Sequence, residues 1–135
     1  MIQIANFFAV LIAAVVSMII GFVWYSPSVF GKQWMSMMGF KKKDVDKKDM
    51  GRTMILAFIS TLIVAYVLSF ILENVNATNF ISGALTGFIV WLGFVATTTL
   101  GSVLWEKKSV NLYVLNNGHH LLNYVVMGGL LAVLI

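Results

Sequence analysis

The chain has 135 residues, of which 60% are hydrophobic and only 10% are charged, and nine basic against five acidic side chains give a net charge of +4. This composition excludes an ordinary soluble domain and indicates an integral membrane protein. Cysteine is absent, which excludes a disulfide framework, a thiol nucleophile and a cysteine-ligated metal.

Four long apolar segments predict four transmembrane helices. Each is close to the roughly 20 residues that cross about 30 Å of hydrocarbon, and none contains Lys, Arg, Asp or Glu. The predicted spans are residues 2–25, 54–72, 80–104 and 112–135. The expected fold is therefore an all-α polytopic membrane protein, a single four-helix transmembrane domain over residues 1–135 built from two helical hairpins.

The first apolar segment is interpreted as a membrane helix and not as a secretory signal. It lacks a positively charged N-terminal region and is longer than a signal core. It also ends in the sequence WYSP, residues 24–27, where a signal peptide has small residues at its cleavage site.

A short amphipathic helix is predicted between the first two spans, lying in the membrane interface. Pro27 cannot continue the hydrogen-bond ladder of the first helix. Beyond it, Phe30, Trp34, Met37 and Met38 recur at helical spacing. Aromatic side chains at both ends of this region and after the third span are predicted interfacial anchors. They are Trp24, Tyr25, Trp34 and Trp105.

Basic residues give the predicted topology. Seven of the nine lie between the first two spans, namely Lys32, Lys41, Lys42, Lys43, Lys47, Lys48 and Arg52, and the other two are Lys107 and Lys108. By the positive-inside rule both of these loops are cytoplasmic, so the N- and C-termini lie outside a cell membrane, the inner or plasma membrane.

The cluster of Lys41, Lys42, Lys43, Lys47 and Lys48 is predicted to contact anionic lipid. A nucleic-acid partner is the alternative for the KKKDVDKK run, but its aspartates and its lack of interleaved aromatic residues argue against that reading.

Small residues recur along three of the predicted spans and favour close helix packing. The positions assigned to packing are Ala5, Ala9, Ala13 and Gly21 in the first span, Ala57 and Ala65 in the second, and Gly87, Gly93 and Gly101 in the third. Three such faces exceed the need of a four-helix monomer. We therefore expect one of them to join subunits of a homo-oligomer.

The last span contains the unusual polar sequence LNNGHHLLNY, residues 115–124. His119 and His120 lie about 12 Å from a helix start at Leu112, and polar groups of the other spans fall at a similar depth. The predicted cavity or ligand residues are Ser17, Thr61, Thr97, Asn116, His119, His120 and Asn123. An ionisable group inside a membrane defaults to a functional hypothesis.

Two structural interpretations compete with that hypothesis. The polar side chains satisfy one another between helices in the first. In the second, Asn116, Asn117 and Gly118 belong to a loop, and the helix starts at His119.

An enzyme is a weaker reading, because adjacent histidines form neither a zinc-helix motif nor a catalytic triad, and every acidic residue lies outside the spans. No catalytic residue, metal or cofactor is predicted. The expected function is an oligomeric transporter or channel-like protein with a polar cavity in its cytoplasmic half. The alternative is a non-transporting scaffold or lipid-binding accessory protein.

The motifs GFVWYSPSVFGKQWM, Gly21–Met35, and WLGFVATT, Trp91–Thr98, resemble the paired signature of a bacterial integral-membrane family known as domain of unknown function 1761. The resemblance covers essentially the whole chain. It implies a small four-helix membrane protein, and it implies no reaction, ligand or catalytic residue.

Overall fold

The structure, a computed structural model, describes residues 6–39 and 47–135, and most of these residues lie in five helices. The helices are α1 Phe7–Trp24, α2 Gly31–Met38, α3 Lys47–Asn74, α4 Phe80–Leu104 and α5 Val110–Leu134. The described residues contain no strand. The all-α class is therefore confirmed, as is the short helix predicted after Pro27.

Three helices are long and apolar enough to cross a membrane: Phe7–Trp24, Asp49–Asn74 and Phe80–Leu104. Their surfaces expose large apolar side chains, such as Phe8 at 78% and Ile81 at 80%, as expected where lipid takes the place of water. Helix α5 does not join this group, because its two histidines and four asparagines lower its mean hydropathy. Its role as a fourth span stays a prediction.

Side-chain caps set where three of the helices begin. The Asn6 side chain accepts from the amides of Phe8 and Ala9 at the start of α1, and Asn79 forms a capping box with Ser82 at the start of α4. Ser109 accepts from the amides of the second and third residues of α5.

The cap at Ser109 corrects two expectations about α5. The helix begins at Val110, two residues before the predicted start at Leu112. The alternative start at His119 is wrong, because Asn116, Asn117 and Gly118 are helical. Helix α3 already includes Lys47–Arg52 ahead of the predicted span at residues 54–72, since this polar segment continues the same helix.

A tight turn connects α1 to α2. The Phe30 amide donates to the Trp24 carbonyl at 3.0 Å, and the Gly31 amide donates to the Ser26 carbonyl at 2.8 Å. A Cβ atom at Gly31 would overlap the carbonyl of Tyr25. The turn therefore needs glycine at this position and folds α2 back toward α5, which it contacts.

Helix α5 is the centre of the bundle, because it contacts α1, α3 and α4. Its most extensive contact is with α4, where Gly83 and Gly87 meet the backbone of Gly128 and Tyr124. Near this contact lies an apolar core at the end of the bundle opposite α2. Its largest fully buried apolar side chains are Leu68, Leu72, Met127 and Leu131.

Helix α4 has a π-helical segment at Trp91–Ala96. The hydroxyls of the next three residues, Thr97, Thr98 and Thr99, donate back to the carbonyls of Gly93, Phe94 and Val95. A π segment adds a residue to the turn, so it rotates everything that follows relative to an uninterrupted α-helix. This rotation decides which threonine faces the rest of the bundle.

Candidate functional site: a polar cavity around His119 and His120

Three cavities surround the polar face of α5 in the half of the bundle nearest α2. The mouth cavity, about 620 Å³, lies between α2, α4 and α5 and includes Trp34, Trp105 and Asn116. The central cavity, about 390 Å³, lies deeper and includes Ser17, Thr61 and Thr99. The side cavity, about 610 Å³, lies between α1, α3 and α5. These volumes suit a small-molecule ligand.

His120 lines all three cavities, and His119 lines the central and side cavities. The two imidazole rings have centroids 5.4 Å apart. The three spaces therefore converge on one turn of α5, the turn that the sequence singles out by its paired histidines.

His119 lies against the end of α1. Its ring packs 5.0 Å from the Tyr25 ring and 6.2 Å from the Trp24 ring, measured between centroids. A Cβ atom added at Gly21 would lie 3.4 Å from His119 Nε2, an ordinary contact distance, so Gly21 lies directly against the imidazole. The WYSP segment thus forms the wall behind the histidine.

The Asn123 side chain forms a hydrogen bond with the His119 ring. Asn123 Nδ2 lies 3.0 Å from His119 Nε2, one turn along α5. Among the described residues, His119 Nδ1 and Asn123 Oδ1 are buried without a hydrogen-bond partner. Buried polar atoms of this kind cost about 1–3 kcal/mol each when they stay unpaired. The hydrogen bond between the two side chains therefore leaves one polar atom of each unsatisfied inside the bundle.

A second set of hydrogen bonds ties α1 to α5 at the mouth. The Tyr25 hydroxyl donates to Asn116 Oδ1 at 2.7 Å, and the Trp24 indole donates to the Leu115 carbonyl at 3.2 Å. Trp24 also packs on Gly118, where a Cβ atom would lie 3.0 Å from the indole. These contacts fix the aromatic end of α1 against the polar helix.

A third set ties α4 to α5. Asn117 Nδ2 donates to the Thr99 hydroxyl at 3.1 Å, and the Tyr113 hydroxyl donates to the Ala96 carbonyl at 2.6 Å. The acceptor carbonyl lies at the end of the π segment. Asn117 is 5% exposed, so this polar contact is inside the bundle.

The structure brings together most of the predicted cavity residues but not all of them. Ser17, Thr61, His119, His120 and Asn123 line the same central cavity, and Asn116 lines the mouth cavity. Thr97 lines none of the three, and its hydroxyl donates to the Gly93 carbonyl at 2.7 Å. Its neighbours Thr98 and Thr99 line the cavities in its place.

Sequence reasoning missed Thr98, Thr99, Asn117 and Tyr113. Regular α-helical spacing selects Thr97, and only the π segment moves the next two threonines inward. Asn117 and Tyr113 could have been found from the sequence, since two polar side chains one turn apart on α5 share one face of the helix.

The predicted packing residues fall into three groups. Ala9, Ala13, Ala65 and Gly87 are buried between helices, and Gly21 packs against His119. Ala57 lines the side cavity and Gly101 lines the mouth cavity. Gly93 faces open space, with nothing within 4 Å of an added Cβ. Ala5 lies outside the described residues.

The predicted aromatic anchors differ in how exposed they are. Trp105 is 85% exposed at the end of α4. Trp24, Tyr25 and Trp34 are only partly exposed and pack in or beside the cavities, with the Tyr25 and Trp34 rings 5.6 Å apart. The side chains of the predicted lipid-binding lysines, residues 41–43, 47 and 48, lie outside the part of the chain that the structure describes.

Fold and site together define an all-helical protein with helices apolar enough to cross a membrane and a polar cavity at two adjacent histidines. The chain belongs to the family described as Protein of unknown function (DUF1761), whose model matches residues 8–132. The family predicted from the sequence is thereby confirmed. No curated protein matches the chain, and no solved structure does.

Proposed function

We propose that this protein is a four-span membrane transporter, with α5 as the fourth span. Helix α5 has 25 residues, about 37 Å at 1.5 Å per residue, which is enough to cross a bilayer. Two of its four asparagines, Asn117 and Asn123, are buried against other helices, so α5 need not present them to lipid. Polar side chains in a membrane bundle face its interior in this way.

The proposed topology places the α2 end in the cytoplasm. Met38 of α2 and Lys108 before α5 line the same mouth cavity. The two predicted cytoplasmic loops therefore meet at one end of the bundle, as the positive-inside rule requires of loops on the same side. The mouth cavity then opens toward the cytoplasm.

The observation that carries the proposal is the convergence of three cavities on His120. Transport needs a path from one side of the membrane to a binding position within it, and the mouth and central cavities supply such a path from the α2 end. Within the described chain, the central cavity is lined by hydroxyl, amide, imidazole and apolar groups and by no charged side chain. We therefore expect the solute to be small and polar and to carry little or no net charge.

One-sided access favours a transporter over an open channel. Beyond the central cavity, Leu72 and Leu131 are fully buried and α4 and α5 touch at their glycines. The space beside Leu68 is a groove of about 220 Å³ with mainly apolar walls, and it is not a polar pore. A permanently open pore requires space through this half as well. The structure therefore corresponds to a state open toward the α2 end, and transport requires a second state that opens the other end.

Exposed small residues support the proposed homo-oligomer. Gly93 and Thr97 on α4 form an exposed small-residue surface that no other described helix covers. Such surfaces let membrane helices approach closely.

The experiment uses the absence of native cysteine. Single-cysteine variants Thr61→Cys and His120→Cys are reconstituted in vesicles and treated with a membrane-impermeant thiol reagent from each side. We expect modification from the α2 side only. Leu85→Cys, on the exposed face of α4, is the matched control and stays unmodified by the hydrophilic reagent.

If the cysteines at positions 61 and 120 stay unmodified when the reagent is added to either side, the cavity is not water-filled and the transporter proposal is refuted. Equal modification from both sides would replace the transporter with a channel. In the expected case, locking the α2 end with a bulky adduct at position 120 also abolishes solute flux.

A second candidate function, a lipid-binding accessory protein, is favoured by one specific observation. A groove of about 380 Å³ on the surface between α1 and α3 is lined only by apolar side chains. A protein that binds lipid without transporting solute would keep the cavity accessible to the thiol reagent but would show no flux in vesicles.

A further inference from the structure

The groove between α1 and α3 faces the proposed bilayer. Val15, Ile19, Ile55, Phe58 and Ile59 form most of its walls. Ile19 is 54% exposed and Ile55 is 63% exposed, so the groove is open along its length. An aliphatic chain packs against such a surface at little cost, because the walls ask for no hydrogen bond.

The groove is continuous with the side cavity. Met18, Phe22 and Met54 line both spaces. Methionine is unbranched and flexible, so two of the three side chains at the junction can move aside for a ligand. A molecule can therefore lie partly in the groove and partly in the cavity.

The walls change from apolar to polar along this continuous space. Past the junction, the side cavity contains Ser17, Thr61, His119 and Asn123. The described side chains that line the groove and the side cavity include no Asp, Glu, Lys or Arg. An ionised head group would thus be left without a counter-charge inside the protein, which is costly.

The polar end contains one unpaired hydrogen-bond donor and one unpaired acceptor, on opposite sides of the hydrogen bond between Asn123 and His119. Asn123 Nδ2 only donates, so His119 Nε2 accepts from it and the neutral ring carries its proton on Nδ1. His119 Nδ1 is then a donor without a partner, and Asn123 Oδ1 is an acceptor without a partner. Exchanging the two ends of the Asn123 amide swaps these roles and leaves the same pair.

Asn123 is 7% exposed, and its side chain lines the side cavity together with the hydroxyl side chains of Ser17 and Thr61. A hydroxyl group both donates and accepts. An uncharged hydroxyl head can therefore pair with the hydroxyl and amide side chains that line this cavity.

We propose that the groove and the side cavity bind a neutral single-chain amphiphile. Its hydroxyl head lies in the side cavity among Ser17, Thr61 and Asn123, and its chain passes Met18 and Met54 into the groove and the bilayer. This proposal rests on the proposed function only in using part of the same cavity. The ligand class that it names, a long-chain alcohol or an uncharged lipid of similar shape that enters sideways from the membrane, is separate from the transported solute.

The test uses the full chain in vesicles with a hexadecanol analogue that carries a photoreactive diazirine in its chain. We expect adducts on peptides containing Ile19, Ile55 and Phe58. We expect hexadecanol to compete for labelling about tenfold better than hexadecanoate or hexadecyltrimethylammonium. The hydroxyl head forms hydrogen bonds in the cavity, whereas a charged head finds no counter-charge there.

Two variants separate the head from the chain. Asn123→Leu keeps the volume but removes the acceptor, and it should abolish the preference for the alcohol. Met54→Trp fills the junction and should reduce labelling in the groove, whereas Leu85→Trp on the exposed face of α4 should not. If Met54→Trp fails to fold, Ala57→Leu narrows the side cavity with a smaller change.

Equal competition by the three head groups overturns the proposal. Labelling of the groove no stronger than that of the α4 surface around Leu85 does the same. Either result, together with thiol modification at positions 61 and 120 from the α2 side, leaves the proposed transporter standing. If the groove is labelled selectively but the cysteines at positions 61 and 120 stay unmodified, the amphiphile site is supported and the water-filled path of the proposed transporter is refuted.

Discussion

The glycine contact between α4 and α5 gives the most direct test of the packing. Gly87 lies against the backbone of Tyr124, where a Cβ atom would overlap the carbonyl oxygen and lie 2.8 Å from the carbonyl carbon. Ordinary contact begins at 3.4 Å. The substitution Gly87→Ala therefore forces the two helices at least about 0.6 Å apart, a separation that already forfeits a quarter or more of each dispersion contact.

We expect Gly87→Ala to lower the free energy of unfolding by about 2 kcal/mol, within the usual range for overpacking. This corresponds to about a thirtyfold change in the folding equilibrium constant. Reversible unfolding in mixed micelles, titrated with dodecyl sulfate and followed by tryptophan fluorescence, measures the difference.

Gly51→Ala is the control, at an exposed helical glycine of α3. Nothing lies within 4 Å of a Cβ at Gly51, so we expect only the gain of about 0.5–1 kcal/mol that alanine has over glycine inside a helix. If Gly87→Ala is as stable as Gly51→Ala, the close approach of α4 and α5 is not a feature of the folded protein.

Two further predictions concern polar contacts of α5. Tyr25→Phe removes the donor to Asn116 Oδ1. The same titration should show that the free energy of unfolding falls by about 1 kcal/mol. An unchanged midpoint would mean that the hydrogen bond is not formed. Ser109→Ala removes the side-chain cap of α5 and should lower the free energy of unfolding by about 1 kcal/mol. Hydrogen exchange at the amides of Asn111 and Leu112 should become faster, and unaltered exchange there would contradict the observed helix start.

The all-α class and the helices apolar enough to cross a membrane are predictable from the sequence, because long uncharged apolar runs have few stable arrangements other than a helix. The amphipathic helix after Pro27 is predictable for a similar reason: its apolar residues recur at helical spacing. Helix starts are less predictable, since a cap such as Ser109 is one residue among several polar candidates in the loop before the helix.

The polar layer around α5 is predictable from residue types and depth, and six of its seven predicted members, four of them on α5, line a cavity. Thr97 does not, because the π segment at Trp91–Ala96 turns the following residues by an amount that no local pattern announces. The same rotation brings Thr99 to Asn117.

The sequence by itself therefore determines which segments are helical and which helix carries polar groups, because both follow from side-chain chemistry along one chain. Only the tertiary structure decides what those groups face. The position of Tyr25 beside His119, the glycine contact that closes one end and the continuity of the groove with the side cavity all depend on distances between helices. Those distances result from packing among residues far apart in the chain.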